Sequence, residues 1–203
     1  PDWYASPQPD WPQGVRQFDF PLGTKAPGPL PGQLADWLDS GPAPVLWTHG
    51  SANLHLDKSQ RLARSVTADI GGRALLVGKV SPSIPLTRDL FYWPHVPFED
   101  LLPRCRAVVH HGGIGTASKA FAAGIPQLIL PLAHDQHDNA SRIERLRAGL
   151  EARPSRRDAG KKMIRLFTSL EIRAGVGRRR TQESGTVLSR VAGQIATMPV
   201  DEG

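Results

Sequence analysis

Cysteine is almost missing from these 203 residues: Cys105 stands alone. One thiol excludes an internal disulfide framework and a cysteine-built zinc site. Long hydrophobic runs are missing as well. The longest, Gln127-Leu-Ile-Leu-Pro-Leu-Ala133, is broken by proline and falls short of the roughly 18 apolar residues that a membrane-spanning helix needs. No basic-then-apolar opening is present, so no signal peptide is expected and a cytoplasmic location is. The first residue is Pro1 rather than methionine, as expected of a fragment or processed chain. Repeats at solenoid spacing are also absent.

An excess of acid is lacking too, since 25 Lys and Arg outnumber 19 Asp and Glu. Such a balance invites a nucleic-acid or anionic-lipid partner. The excess, however, is gathered in the last fifty residues, at Arg153, Arg156, Arg157, Lys161, Lys162, Arg165 and the run Arg178-Arg179-Arg180. It lacks the interleaved aromatics of a base-stacking surface. A solvated helical tail, or a face meeting another domain, explains it more simply, and no nucleic acid is expected.

What is present is a switch in pattern. Residues 1–44 are rich in Pro, Gly and Trp with weak periodicity, apart from a short amphipathic helix over Gln33-Leu-Ala-Asp-Trp-Leu38. This part is expected to be a lead-in arm from another domain. After Pro44, short apolar strands (residues 45–48, 74–77, 107–110 and 127–130) alternate with helices. The helices are expected over residues 57–70 with Asp57 as cap, 98–102, 116–123 and 136–148, the last stopped by Gly149. That alternation predicts an α/β, Rossmann-like parallel sheet over residues 45–155 with helices on both faces. Residues 156–203 are expected to form a tail of two helices around the loose Gly175–Arg180 segment.

Three blocks carry chemistry, each placed where a strand ends. His110-His-Gly-Gly-Ile-Gly-Thr116 joins a strand to a helix. Its glycines let backbone approach a ligand, and the helix N-terminus behind them favours an anion such as phosphate. Leu130-Pro-Leu-Ala-His-Asp-Gln-His-Asp-Asn139 emerges on the same edge, where Asp135 and Gln136 suit sugar hydroxyls. Thr48-His-Gly-Ser51 offers a further hydroxyl there. Two rival readings remain. Gly113-x-Gly115 followed by Asp135 begins a dinucleotide fingerprint, though Ser118 holds the third glycine position. His134 and His137, with Asp135, Asp138 and His110 or His111, could instead hold a metal for hydrolysis. Cys105, between Arg104 and Arg106, lies on the opposite edge and reads as a buried small residue.

Together the motifs resemble the C-terminal, donor-binding half of GT-B glycosyltransferases of the UDP-glucosyltransferase-like family (family 1), similar to bacterial sterol, macrolide and glycopeptide glycosyltransferases. The resemblance runs through Asp10-Trp-Pro12, Phe20-Pro-Leu22, Pro44-Val-Leu-Trp-Thr-His-Gly-Ser-Ala52 and Pro97-Phe-Glu-Asp-Leu-Leu-Pro-Arg-Cys105. It continues through the His110 block, Ala123-Gly-Ile-Pro-Gln127 and His134-Asp-Gln-His-Asp-Asn-Ala140, about three quarters of the chain.

It implies that His110 contacts the donor diphosphate, with Gly112, Gly113, Ile114, Gly115 and Thr116 lining it and Ser51 nearby. Asp135 and Gln136 would hold the transferred hexose. Tyr92, Trp93 and Val96 would flank the base, Val96 through its backbone. The implied donor is UDP-glucose or a related UDP-sugar, with dTDP-sugars used by relatives. The implied reaction inverts the anomeric carbon without a metal or other cofactor, and the acceptor is a small lipophilic alcohol. Two departures stand out. The family's N-terminal acceptor domain, which carries the catalytic base, is not among these residues; His49, His55 and His95 lie in donor-half motifs and do not replace it. The implied partner is that domain or a separate chain supplying it, without which no transfer is expected; a non-catalytic nucleotide-sugar-binding subunit is the alternative. Beyond Pro154 the family pattern gives way to the Arg-rich tail.

Overall fold

The computed structural model describes residues 1–22, 28–48, 56–79 and 87–169. Ser51 lies outside them, with His49 and Gly50 of the Thr48-His-Gly-Ser51 block, as does the expected second helix of the tail.

Six strands, β1 (Val45–Thr48), β2 (Ala74–Val77), β3 (Leu90–Trp93), β4 (Ala107–His110), β5 (Gln127–Ile129) and β6 (Gly149–Glu151), form one sheet. Around them run α1 (Gly32–Asp39), α2 (Leu56–Asp69), α3 (Phe98–Leu101, continued by a tight turn to Arg104), α4 (Ile114–Ala123), α5 (Gln136–Arg145) and α6 (Arg156–Thr168). Every pairing is parallel and the spatial order is β3-β2-β1-β4-β5-β6. This is the Rossmann-like sheet that the alternating pattern predicts.

The central strands are short and mostly apolar because both faces are covered. Successive side chains alternate between two cores. Val45 and Trp47 of β1, Ala74 and Leu76 of β2, and Ala107 and Val109 of β4 pack with Leu62, Ala63 and Val66 of α2 and Met163 and Leu166 of α6. Leu46, Leu75, Val77 and Val108 point the other way, onto Leu34 and Leu38 of α1 and Leu101, Leu102 and Ala120. No helix among the described residues is long and apolar enough to cross a membrane.

Several elements differ from the sequence reading. Asp57 sits in the first turn of α2, which begins at Leu56, rather than capping it. α4 begins at Ile114 with Gly113 as its N-cap, so Ile114, Gly115 and Thr116 are the first turn and not loop. β3 was not anticipated, because it is an edge strand in which only Leu90 is buried and no alternation shows. α5 ends at Arg145 and Gly149 opens β6. The glycine is needed there for close packing: a Cβ on Gly149 would stand 2.3 Å from the Gln127 carbonyl oxygen of β5.

The lead-in segment also contributes to the core, which its composition does not announce. Tyr4 is buried, and Trp3, Tyr4 and Phe20 pack on Phe121 of α4, with Trp3 edge-on to it at 5.2 Å between ring centroids. Aromatic side chains bring enough area to bind an irregular segment without any helical or strand period.

Candidate functional site: the carboxyl edge of the sheet

The chain order moves outward from β1 through β2 to β3, then returns to β4 and moves outward the other way. In open α/β sheets the ligand crevice lies at such a switch, here beyond the carboxyl ends of β1 and β4. The loop after β4 leads from that edge into α4.

His110 closes β4 and is buried, 1% exposed. Its Nδ1 accepts the Gly112 N–H at 3.1 Å, and its Nε2 meets Gln127 Oε1 at 3.0 Å. Accepting at Nδ1 puts the ring proton on Nε2, which therefore donates to Gln127. Burial pushes the imidazole down from 6.5 to about 4; the Gln127 bond opposes the shift and neighbouring His111 adds to it. The resemblance assigns the diphosphate contact to His110. In the structure this ring is buried, with Nδ1 and Nε2 engaged by Gly112 and Gln127.

His111 follows in the loop between β4 and α4. It is half-buried, and its ring lies over Gly113, where an added Cβ would meet Nε2 at 2.6 Å. Its buried Nδ1 has no hydrogen-bond partner. Desolvation holds its pKa below 6.5, and the Asp135 carboxylate pulls in the opposite direction. The turn beside it demands glycine at 112. Gly112 has φ +99°, and a Cβ there would meet Ile129 Cγ2 at 2.9 Å and the Gln136 carbonyl at 3.0 Å.

The glycine turn aims the start of α4 outward. Its N-cap, Gly113, supplies no side-chain bond, and Ile114 and Gly115 are exposed. A helix start of this kind carries partly unsatisfied N–H groups and about half a positive charge. Thr116 is half-buried just behind.

The loop after β5 forms the other wall. Asp135 is exposed at the N-cap position of α5, and its Oδ2 accepts from Asn139 Nδ2 at 2.9 Å. Gln136 Oε1 accepts the N–H groups of Leu132 and Ala133, at 2.8 and 3.2 Å. The amide oxygen is thus taken by the turn, and Nε2 is the atom Gln136 can offer outward. Asn139 is 6% exposed and also donates to the Gly112 carbonyl at 2.9 Å, tying the two walls together. The sequence reading did not single out Asn139, although its place one helical turn after Asp135 is the spacing of a side-chain pair.

The base-flanking residues lie at the far edge. Trp93 stacks on Phe91, which stacks on Trp37 of α1, while Tyr92 faces the opposite side and packs against the larger core. The Val96 side chain is buried, 3% exposed, so only its backbone can meet a ligand. From β3 to β4 is three strand spacings, about 14 Å, which separates the Tyr92–Val96 segment from the His110 block along one edge.

The alternative metal set does not assemble. His110 is consumed internally, His137 Nδ1 pairs with Glu151 Oε1 at 3.1 Å, and the described residues hold no group of three or more metal-ligating side chains. Cys105 is buried, its thiol pushed up to about 12 chiefly by desolvation, and its Sγ lies on the Leu101 carbonyl. It stands before β4, at the edge away from the crevice.

Comparison with known proteins points the same way. The model of the erythromycin biosynthesis protein CIII-like C-terminal domain matches residues 82–183. The chain is 35% identical over 150 residues to the O-mycaminosyltylonolide 6-deoxyallosyltransferase of Streptomyces fradiae, covering 71% of this chain and 34% of that enzyme. Among solved structures, the calicheamicin glycosyltransferase CalG4 superposes with a TM-score of 0.64 at 25% identity, over 76% of this chain and 41% of that one. The glycosyltransferase VinC, solved in complex with dTDP, gives 0.59 at 25% identity, over 83% and 45%. The chain spans about a third of the length of the curated relatives it matches.

Proposed function

This chain belongs to the erythromycin biosynthesis protein CIII-like C-terminal domains, a glycosyltransferase family, and from that premise we propose that its carboxyl edge binds the nucleoside diphosphate-sugar donor of a hexosyl transfer. The observation that carries the reading is the unpartnered His111 Nδ1 beside an α4 start whose cap offers no side chain.

In this reading the diphosphate rests on the N–H groups of Ile114 and Gly115, with Gly112 and Gly113 passing close beneath and Thr116, whose N–H is given to the Gly113 carbonyl at 3.1 Å, just behind. The contact assigned to His110 passes to His111, because a buried ring with both nitrogens engaged has nothing left to give. His110 then acts by holding the Gly112 N–H and so the turn. The helix start and the His111 N–H supply the electrostatic stabilisation of departing diphosphate that a metal supplies elsewhere, so no metal is required. Asp135 accepts and Gln136 Nε2 donates to hydroxyls of the sugar. Tyr92 or Trp93 and the Val96 backbone flank a uracil or thymine about 14 Å away, a span that an extended nucleoside diphosphate bridges. Ser51 is a further candidate for a phosphate contact.

The chemistry is displacement at the anomeric carbon with inversion. An acceptor hydroxyl attacks as the bond to the diphosphate breaks. The base that takes the hydroxyl proton, and the pocket for a lipophilic acceptor, belong to an N-terminal domain or partner chain docked across the crevice. By themselves these residues bind donor and transfer nothing.

The test is calorimetric titration of the chain with UDP, UDP-glucose, dTDP and dTDP-glucose, with and without EDTA. The reading expects binding that survives EDTA and falls at least about tenfold in His111→Ala, the scale of one lost charge-assisted hydrogen bond. Unchanged affinity in His111→Ala, or binding abolished by EDTA, would overturn it. The uridine and thymidine arms identify the base.

A further inference from the structure

Asn139 stands at a junction. Both of its amide protons are spent inside the site, on the Gly112 carbonyl and on Asp135 Oδ2, at 2.9 Å each. One side chain therefore ties the turn into α4 to the carboxylate at the start of α5. Its remaining acceptor, Oδ1, receives the Tyr4 hydroxyl at 2.7 Å, across 135 residues of sequence.

Tyr4 belongs to the segment before the sheet, and it is held from several sides. Its ring lies among Trp3, Phe20 and Phe121, and its carbonyl accepts Arg142 Nη1 at 3.4 Å. The Arg142 guanidinium is in turn paired with Asp138. Burial raises the phenol above its usual value against the opposing pull of Arg142, so Tyr4 remains a donor at neutral pH. A donor there fixes which way the Asn139 amide faces: oxygen to Tyr4, both N–H groups to the site. Without it, Oδ1 is left buried and unpaired, and the amide has a reason to turn away from Gly112 and Asp135.

We propose that Tyr4 is a positioning residue for the sugar end of the donor, acting through Asn139 on the Asp135 carboxylate and the Gly112 turn. Docking of the lead-in segment and holding of the sugar are then one event. Whatever displaces this segment loosens Asp135 and the Gly112 turn without touching the base. The inference rests on the donor-site reading above.

The experiment compares UDP-glucose with UDP (or the dTDP pair, if that base is preferred) by calorimetry on the chain, Tyr4→Phe, Asp135→Asn and the double variant. Tyr4→Phe keeps the ring and its packing, so the fold is retained. The expected result is a loss of sugar-nucleotide affinity about fivefold greater than the loss for the diphosphate alone, and no such extra loss when Asp135→Asn is already present. A general loosening of the fold would weaken both ligands alike. Equal losses for the two ligands, or full additivity with Asp135→Asn, would overturn the inference and leave the donor site standing. A parent chain that binds none of these nucleotides overturns both.

Discussion

The neutral, buried state of His110 makes a measurable pH dependence. Folded, the ring titrates at about 4 because burial disfavours its charged form; unfolded, it returns to about 6.5. Between those values the unfolded chain holds a proton that the folded chain does not. Stability therefore rises with pH through this window, is fully present above 6.5, and is lost as pH falls towards 4. Taken from pH 7 to pH 5, this one group removes about 2 kcal/mol. His110→Asn retains an acceptor near the Nδ1 position for the Gly112 N–H, cannot titrate, and leaves Gln127 without its partner. The variant is expected to be less stable than the parent at pH 7 by about 1–3 kcal/mol, with a pH profile shallower by about 2 kcal/mol over the same interval. Urea denaturation at pH 7, 6 and 5 measures both, and carboxylates common to the two proteins cancel in the difference. Parallel profiles, or a His110 imidazole resonance titrating near 6.5, would refute the reasoning.

Two further substitutions probe the frame around the site. Gly112→Ala combines a positive φ of +99° with contacts of 2.9 and 3.0 Å to Ile129 and the Gln136 carbonyl; it should cost about 2–4 kcal/mol in urea denaturation, and a loss under about 1 kcal/mol would show that the turn relaxes freely. Arg73, 7% exposed, donates to the carbonyls of Trp37, Leu38 and Pro42 and stacks on the Trp37 ring at 3.8 Å. Arg73→Ala should cost about 2–4 kcal/mol by taking this donor from the Leu38 and Pro42 carbonyls and its stacking from Trp37, and Arg73→Lys should recover less than half of that, since an ammonium cannot span three carbonyls.

Much of the framework could be read directly. Val45-Leu-Trp-Thr48, Ala74-Leu-Leu-Val77 and Ala107-Val-Val-His110 are too short and too apolar to be anything but strands covered on both faces, and the helices between them force parallel pairing. The same pattern puts the His110 and Asp135 blocks on one edge, since every strand must run the same way. What stayed hidden depends on partners distant in sequence. β3 and β6 are short edge elements whose identity comes from the neighbour they pair with, and Gly149 looks like a helix stop until β5 lies beside it.

The sharpest division falls between His110 and His111. Local strand, turn and helix propensities suffice to put two adjacent histidines where a strand meets a glycine turn at a helix start. How each ring is held depends on partners that the packed fold brings up. Alternation along β4 turns His110 inward, where Gln127 of the next strand and the Gly112 N–H take both nitrogens, and leaves His111 half-buried over Gly113 with its buried Nδ1 unpaired. Likewise Tyr4 reaches Asn139 only because the packed sheet brings them together. Burial and cross-strand register are properties of the assembled molecule, and they set the proton affinity, orientation and accessibility on which the chemistry of this edge depends.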